Sequence, residues 1–165
     1  MDRLYTPWRY EFISAPKPEG CVFCAKLAID DREALIVHRG KECYICLNTF
    51  PYNNGHVMVV PNAHLDSLAL LPAASAHEMM DLAQRTEAVL RAIYQPGGIN
   101  MGLNLGDAAG AGIVDHLHFH VVPRWRGDAN FMTVVSETRV LPEELGATWQ
   151  RLRDGFAQLG AGAGD

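Results

Sequence analysis

The spacing of apolar residues along this 165-residue chain changes period several times, and each change predicts an element. Ala34–Val37 and Cys43–Leu47 are short apolar, β-branched runs and predict a pair of strands. Asn48–Gly55, carrying Pro51, Asn53, Asn54 and Gly55, predicts a turn. His56–Pro61 is almost wholly apolar and predicts a central strand. Ser75-Ala76-His77-Glu78 has the form of a capping box. After it, Met79, Leu82, Ala83, Thr86, Val89, Leu90 and Ile93 recur at three and four residues, which is one stripe of a helix. Pro96-Gly97-Gly98 ends that helix. Ile99–Leu105 and His116–Val122 predict two more strands, separated by the small-residue loop Gly106–Gly112. Phe131–Val135 reads as a final strand, and a short helix is predicted from Cys21 to about Asp30. Pro142–Leu159 reads as a closing helix with Leu145, Trp149, Leu152, Phe156 and Leu159 on one side. Strands joined by short turns around one long helix indicate an α+β meander.

Residues 1–20 form an irregular arm whose alternating Trp8, Tyr10 and Phe12 are expected to pack on the body. Residues 21–135 are read as the main domain, and 136–165 as the C-terminal helix with a disordered tail from Gly160. The length suits one domain. A net charge of −5 argues against a nucleic-acid backbone as partner. It leaves room for a small anion, because backbone N–H groups can hold phosphate without net basic charge. Apolar runs fall far short of a membrane span. Met1–Tyr5 lacks an apolar signal core, so a cytoplasmic location is expected.

The candidate chemistry lies in His116-Leu117-His118-Phe119-His120. On a strand, side chains alternate, so the three imidazoles share one face while Leu117, Phe119 and Val121 face the core. A lone histidine is most often a packing or surface residue, but three at period two are hard to explain that way. Imidazole near neutral pH can ligate metal or attack phosphorus. The preceding Gly/Ala loop favours the second role, since its bare N–H groups suit a phosphate. His38 and His77 read as surface residues, His56 as a turn-orienting one, and no role is assigned to Asp115.

Four cysteines form two Cys-x-x-Cys pairs, Cys21/Cys24 and Cys43/Cys46, and their spacing fits a four-cysteine zinc pattern. Cys43 and Cys46, three apart on a strand, should point to opposite faces and are read as core. Cys21 and Cys24, at the entry to a helix, share a face and can chelate.

The triad His116-Leu117-His118-Phe119-His120-Val121-Val122 resembles the His-φ-His-φ-His-φ-φ motif of the histidine triad (HIT) family. Leu47-Asn48, Gly55–Pro61 and His64 look like a second block of that family, and Asn104 falls where it has a phosphate-binding Asn. The resemblance covers roughly residues 21–125. Pro51–His56, His120–Trp125, Gly127–Phe131 and Pro7-Trp8-Arg9 look most like the bacterial diadenosine tetraphosphate phosphorylase-like branch.

The resemblance implies a five-stranded antiparallel sheet with two main helices, paired in a homodimer. It implies that His118 attacks the α-phosphorus and forms a nucleotidyl-histidine, with His116 and His120 as its catalytic companions. His120 and Asn104 would contact phosphate oxygens, the Gly110-Ala111-Gly112 loop would add backbone donors, and Asn48 would bind ribose. It also implies a structural zinc on Cys21, Cys24, His64 and His116, and no organic cofactor. One departure stands out. Several relatives carry Gln or Ser just before the triad strand to assist the leaving group, whereas this chain has Ala111 and Gly112 there. That disfavours an amine leaving group more than a phosphate.

The expected activity is cleavage of dinucleoside polyphosphates, with inorganic phosphate as a co-substrate. A hydrolase or phosphoramidase using adenosine nucleotides is the nearest alternative. A nucleotide- or zinc-binding module without turnover is an alternative of another class.

Overall fold

The computed structural model describes residues 20–128 and 143–161. The predicted strand at Phe131–Val135, residues 1–19 of the N-terminal arm and the last four residues lie outside them.

The chain starts with a one-turn helix, α1 (Val22–Lys26), much shorter than the predicted segment. Strands β1 (Ile36–Arg39), β2 (Cys43–Leu47) and β3 (Val57–Pro61) follow as an antiparallel meander. The long helix α2 (Ala73–Tyr94) then leads to β4 (Gly98–Leu103) and β5 (Phe119–Arg124), and α3 (Leu145–Ala161) ends the described chain. The five strands form one antiparallel sheet in the order β1-β2-β3-β5-β4. The α+β class, the five strands and the two main helices are as expected.

The sheet has two occupied faces. On one, Val37, Ile45, Leu47, Val57, Val59, Leu117 and Val121 pack against the stripe of α2 and against Trp149, Leu152 and Phe156 of α3. The α2 stripe is as predicted: Met79, Leu82, Ala83, Thr86, Val89 and Leu90 are buried. Gly155 lets α3 approach α2 closely, since a Cβ there would lie 2.7 Å from Val89 Cγ1. The Trp149 indole N–H donates to the Ile36 carbonyl at 2.8 Å, fixing α3 to the edge of β1. On the other face, Ile36, Tyr44, Cys46, Met58 and Val60 pack around Phe23 of α1. Cys43 and Cys46 point to these opposite faces, both fully buried. Burial pushes each thiol up to about 12.

Four expectations need correction. The capping box does not form: α2 begins at Ala73 after Pro72, and Ser75 is buried inside the first turns. The Glu78 carboxylate instead accepts the backbone N–H groups of Lys41 (2.9 Å), Glu42 (2.5 Å) and Cys43 (2.7 Å). Three orphan donors of the β1–β2 turn outcompete one local cap, and they draw the Glu78 carboxyl below its usual range against the opposing effect of burial. The last strand begins at Phe119, so only His120 of the triad is within it. Pairing with β3 runs only from Val57/Val121 to Val59/Phe119, and the Leu117 N–H donates instead to the Leu65 carbonyl at 2.6 Å. Helix α3 runs to Ala161, past the expected start of the tail. His38 is half-buried, stacked on Phe156 with ring centroids 5.4 Å apart, rather than a surface residue.

Candidate active site and metal cluster

The triad keeps its alternation although two of its members precede the strand. Leu117, Phe119 and Val121 belong to the helix-side core. His116 and His118 face the other way and pack on Phe23, at 5.4 and 4.9 Å between ring centroids. His118 and His120 meet edge to face at 4.8 Å. All three imidazoles are buried.

Hydrogen bonds fix which nitrogen of each ring carries its proton. His118 Nδ1 lies 2.8 Å from the His116 carbonyl. A carbonyl only accepts, so Nδ1 carries the hydrogen and Nε2 keeps its lone pair. Burial lowers the His118 imidazole below its ordinary value, and the bond to His116 opposes this only in part, so the ring is neutral near pH 7. A buried neutral imidazole with an oriented lone pair is a nucleophile ready to use.

His120 is set by a relay that begins on the backbone. The Tyr52 N–H donates to His56 Nδ1 at 3.0 Å, and the Asn48 side-chain amide nitrogen lies 3.4 Å from that same atom. Nδ1 of His56 is therefore the acceptor, and its Nε2–H donates to His120 Nδ1 at 2.9 Å. That leaves the hydrogen of His120 on Nε2. Among the described residues, this Nε2 is a buried side-chain polar atom with no hydrogen-bond partner. Native interiors rarely leave such a donor unmatched, and it suits an anionic oxygen beside His118. Burial, with the neighbouring His118 second, brings the His120 imidazole down to about 4, so it donates as a neutral group.

The sequence reading gave His56 only a turn-orienting role, and the relay was missed. The available signal was parity: His56 and Met58 share a face of their strand, and Met58 pairs with His120. Tyr52, also unassigned, lays its ring against His56 (4.6 Å) and His120 (5.6 Å).

Of the other predicted nucleotide contacts, Asn48 reaches this pair through His56, and Asn104 does so through the strand register. Asn104 follows Leu103, the partner of Phe119, so the strand register sets it next to the stretch holding His118. Asn48 is half-buried, and its Oδ1 already accepts the Phe50 N–H at 2.9 Å. In the glycine loop, Gly106 and Gly110 adopt positive φ of 84° and 88°. The N–H groups of Gly110 and Ala111 are bonded inside the loop, to Asp107 at 2.9 Å and Gly106 at 3.2 Å. Among the described residues, the Gly112 N–H makes no such bond and stands open to a ligand at the end of the loop.

A second cluster sits behind the triad. One ligand atom each from Cys21, Cys24, His64 and His116 lies within 4.8 Å of all the others. His116 Nδ1 is 3.2 Å from Cys21 Sγ, 3.6 Å from Cys24 Sγ and 3.3 Å from His64 Nδ1, and Cys24 Sγ is 3.4 Å from His64 Nδ1. Tetrahedral zinc with ordinary Zn–S and Zn–N bonds separates its ligands by roughly 3.3–3.8 Å. The outer contact agrees: His116 Nε2 lies 2.9 Å from the Pro61 carbonyl, so Nε2 carries the hydrogen and Nδ1 offers its lone pair to the cluster. These donors fit a zinc ion. Cys43 and Cys46 take no part, and Cys43 Sγ instead donates to the Ser75 carbonyl at 3.5 Å.

The profile of the HIT domain matches residues 30–127. The chain belongs to the histidine triad family. Among triad proteins it is 39% identical to the AP-4-A phosphorylase of Mycobacterium tuberculosis, over 96% of this chain and 86% of that one. Its fold superposes with a TM-score of 0.70 on a zinc-bound histidine triad family protein from Mycobacterium smegmatis, at 28% identity over 86% of this chain and 96% of the other. A hypothetical histidine triad nucleotide-binding protein from Sulfolobus tokodaii gives the same score at 22% identity, over 88% of this chain and 97% of that one. With this family and this phosphorylase relative, the chain is an enzyme of the histidine triad family. No helix among the described residues is long and apolar enough to cross a membrane.

Proposed function

We propose that this triad enzyme is a diadenosine tetraphosphate phosphorylase working through a nucleotidyl-histidine on His118. The observation that carries the reading is the pairing of opposite roles on adjacent imidazoles. His118 offers a lone pair at Nε2, and His120 offers an unmatched N–H beside it.

In the first displacement, His118 Nε2 attacks the α-phosphorus. A P–N bond forms as the P–O bond to the departing ATP breaks. The imidazole gains positive charge, and the His116 carbonyl on Nδ1–H stabilises it. The growing charge on the phosphoryl oxygens meets the His120 N–H, Asn104 and the Gly112 N–H, donors set in place before the reaction. In the second displacement, an oxygen of inorganic phosphate attacks the same phosphorus and the P–N bond breaks. ADP leaves and His118 returns neutral. Summed, diadenosine tetraphosphate and phosphate give ADP and ATP. ATP leaves with little need of a proton, which agrees with the absence of a hydroxyl or amide side chain at Ala111 and Gly112. Asn48 would meet the ribose by releasing its contact to Phe50.

Cys21, Cys24, His64 and His116 would hold zinc. With four protein ligands the ion is structural, tying the start of α1 to the segment before β5. Both His116 ring nitrogens are committed, so its part in the reaction is its carbonyl. A homodimer belongs to the same reading and is checked by sedimentation.

Product analysis with and without phosphate tests the function. Phosphate-dependent ADP plus ATP is the expected result. AMP plus ATP without phosphate would make the protein a hydrolase, and no turnover with retained nucleotide binding would reduce it to a binding module.

A further inference from the structure

Phe23 sits at the centre of the core on the triad side of the sheet, where it also touches two of the triad rings. It lies in α1 between Cys21 and Cys24 and is 1% exposed. Its ring touches both His116 and His118, and its carbonyl accepts the buried Tyr44 hydroxyl at 2.9 Å. Helix α1 has only five residues, too few to hold itself by backbone bonds. Its place is set by what its side chains grip: the core of Ile36, Tyr44, Cys46, Met58 and Val60 around Phe23, and the two thiols at the cluster. A second link runs through His116, whose ring joins the cluster while its carbonyl holds His118 Nδ1–H at 2.8 Å. The cluster is thus joined to the nucleophile by a packed ring and by a hydrogen bond.

We propose that Phe23 is a positioning residue: zinc at Cys21, Cys24, His64 and His116 fixes the Phe23 ring and the His116 carbonyl, and these hold the His118 imidazole in its attacking orientation. A structural metal here preorganises a nucleophile it does not touch. The rate consequence rests on the phosphorylase reading; the orientation consequence does not.

The test labels histidine nitrogens with ¹⁵N and follows His118 by long-range ¹H–¹⁵N correlation. In zinc-loaded protein, His118 should show one tautomer, protonated at Nδ1. Removing zinc with a chelator should broaden its signals or shift them toward a tautomer mixture while the sheet amides keep their positions. Adding Zn²⁺ back should restore the single tautomer. Phe23→Leu keeps an apolar side chain of similar volume but loses the flat ring. It should retain its zinc and its sheet spectrum, move His118 toward the mixture, and lower kcat on diadenosine tetraphosphate about tenfold, with KM changed by less than roughly twofold.

Identical His118 signals with and without zinc in folded protein would overturn the proposal. So would a Phe23→Leu variant with wild-type tautomer and kcat. Should that variant not fold, the zinc response of wild-type His118 decides alone. A zinc-responsive His118 in a protein inactive on diadenosine tetraphosphate would refute the phosphorylase reading and leave this inference standing.

Discussion

Replacing His56 by Phe would separate an orienting role from a chemical one. The ring volume stays, but the donor to His120 Nδ1 and the acceptor for the Tyr52 N–H are lost. His56 is fully buried and His120 is 8% exposed, so water does not readily replace the lost partner. Leaving a buried acceptor unmatched costs about 1–3 kcal/mol of stability. The kinetic effect is smaller than deleting His120 itself. His56 only biases which His120 nitrogen carries the hydrogen, and one neutral hydrogen bond of about 0.5–1.5 kcal/mol corresponds to a two- to tenfold fall in kcat. Removing the phosphate-facing donor, as in His120→Phe, should cost about 10²–10³-fold. The assay is a double-mutant cycle, with urea unfolding and steady-state turnover measured on both single variants and the pair. If the relay is right, His56→Phe lowers kcat in the wild type and does almost nothing further once His120 is gone. Fully additive losses would refute it, because His56 would then be acting on substrate independently of His120.

Three other perturbations test separate parts of the account. Metal analysis should find one zinc per chain in wild type and in Cys43→Ser, and none in Cys21→Ser; equal zinc in wild type and Cys21→Ser would reject the cluster. Because His120 sits near 4 in the fold against an ordinary 6.5, its contribution to stability is complete above about pH 6.5 and is lost as pH falls toward 4. The urea midpoint should therefore drop between about pH 7.5 and about pH 5, and drop less in His120→Asn; an equal drop in both would contradict the assignment. Gly155→Ala should cost about 1–3 kcal/mol in urea unfolding, because its Cβ meets Val89 Cγ1 at 2.7 Å between the two long helices. No loss would mean that the helices separate without penalty.

Much of the fold was legible because strand and helix periods are local. The α2 stripe, the opposite faces of Cys43 and Cys46, and the division of the triad into core-facing and site-facing residues all follow from periods of 3.6 and 2. What failed was decided by distant partners. Glu78 lies in a capping pattern, but three N–H groups over thirty residues away take its carboxylate. His116 and His118 have strand alternation without strand pairing, because Leu117 bonds to Leu65 and the His116 ring turns to the cysteines. Asn48, Asn104 and His64 came from the family resemblance, whereas the Gly/Ala loop was legible from its composition; the surroundings of all four depend on loop geometry that periodicity does not encode. The relay from Tyr52 through His56 crosses from one strand to the next, so it required the β3–β5 register.

The most direct test of the central claim is to trap the covalent intermediate. The protein is mixed with diadenosine tetraphosphate without phosphate, quenched under mildly alkaline conditions that preserve a P–N bond, digested, and mapped by mass spectrometry. The account predicts one adenylyl group on the peptide containing His118, discharged to ADP when phosphate is added before the quench, and absent from His118→Ala. An adenylyl group on another residue, or undiminished turnover in His118→Ala, would contradict it.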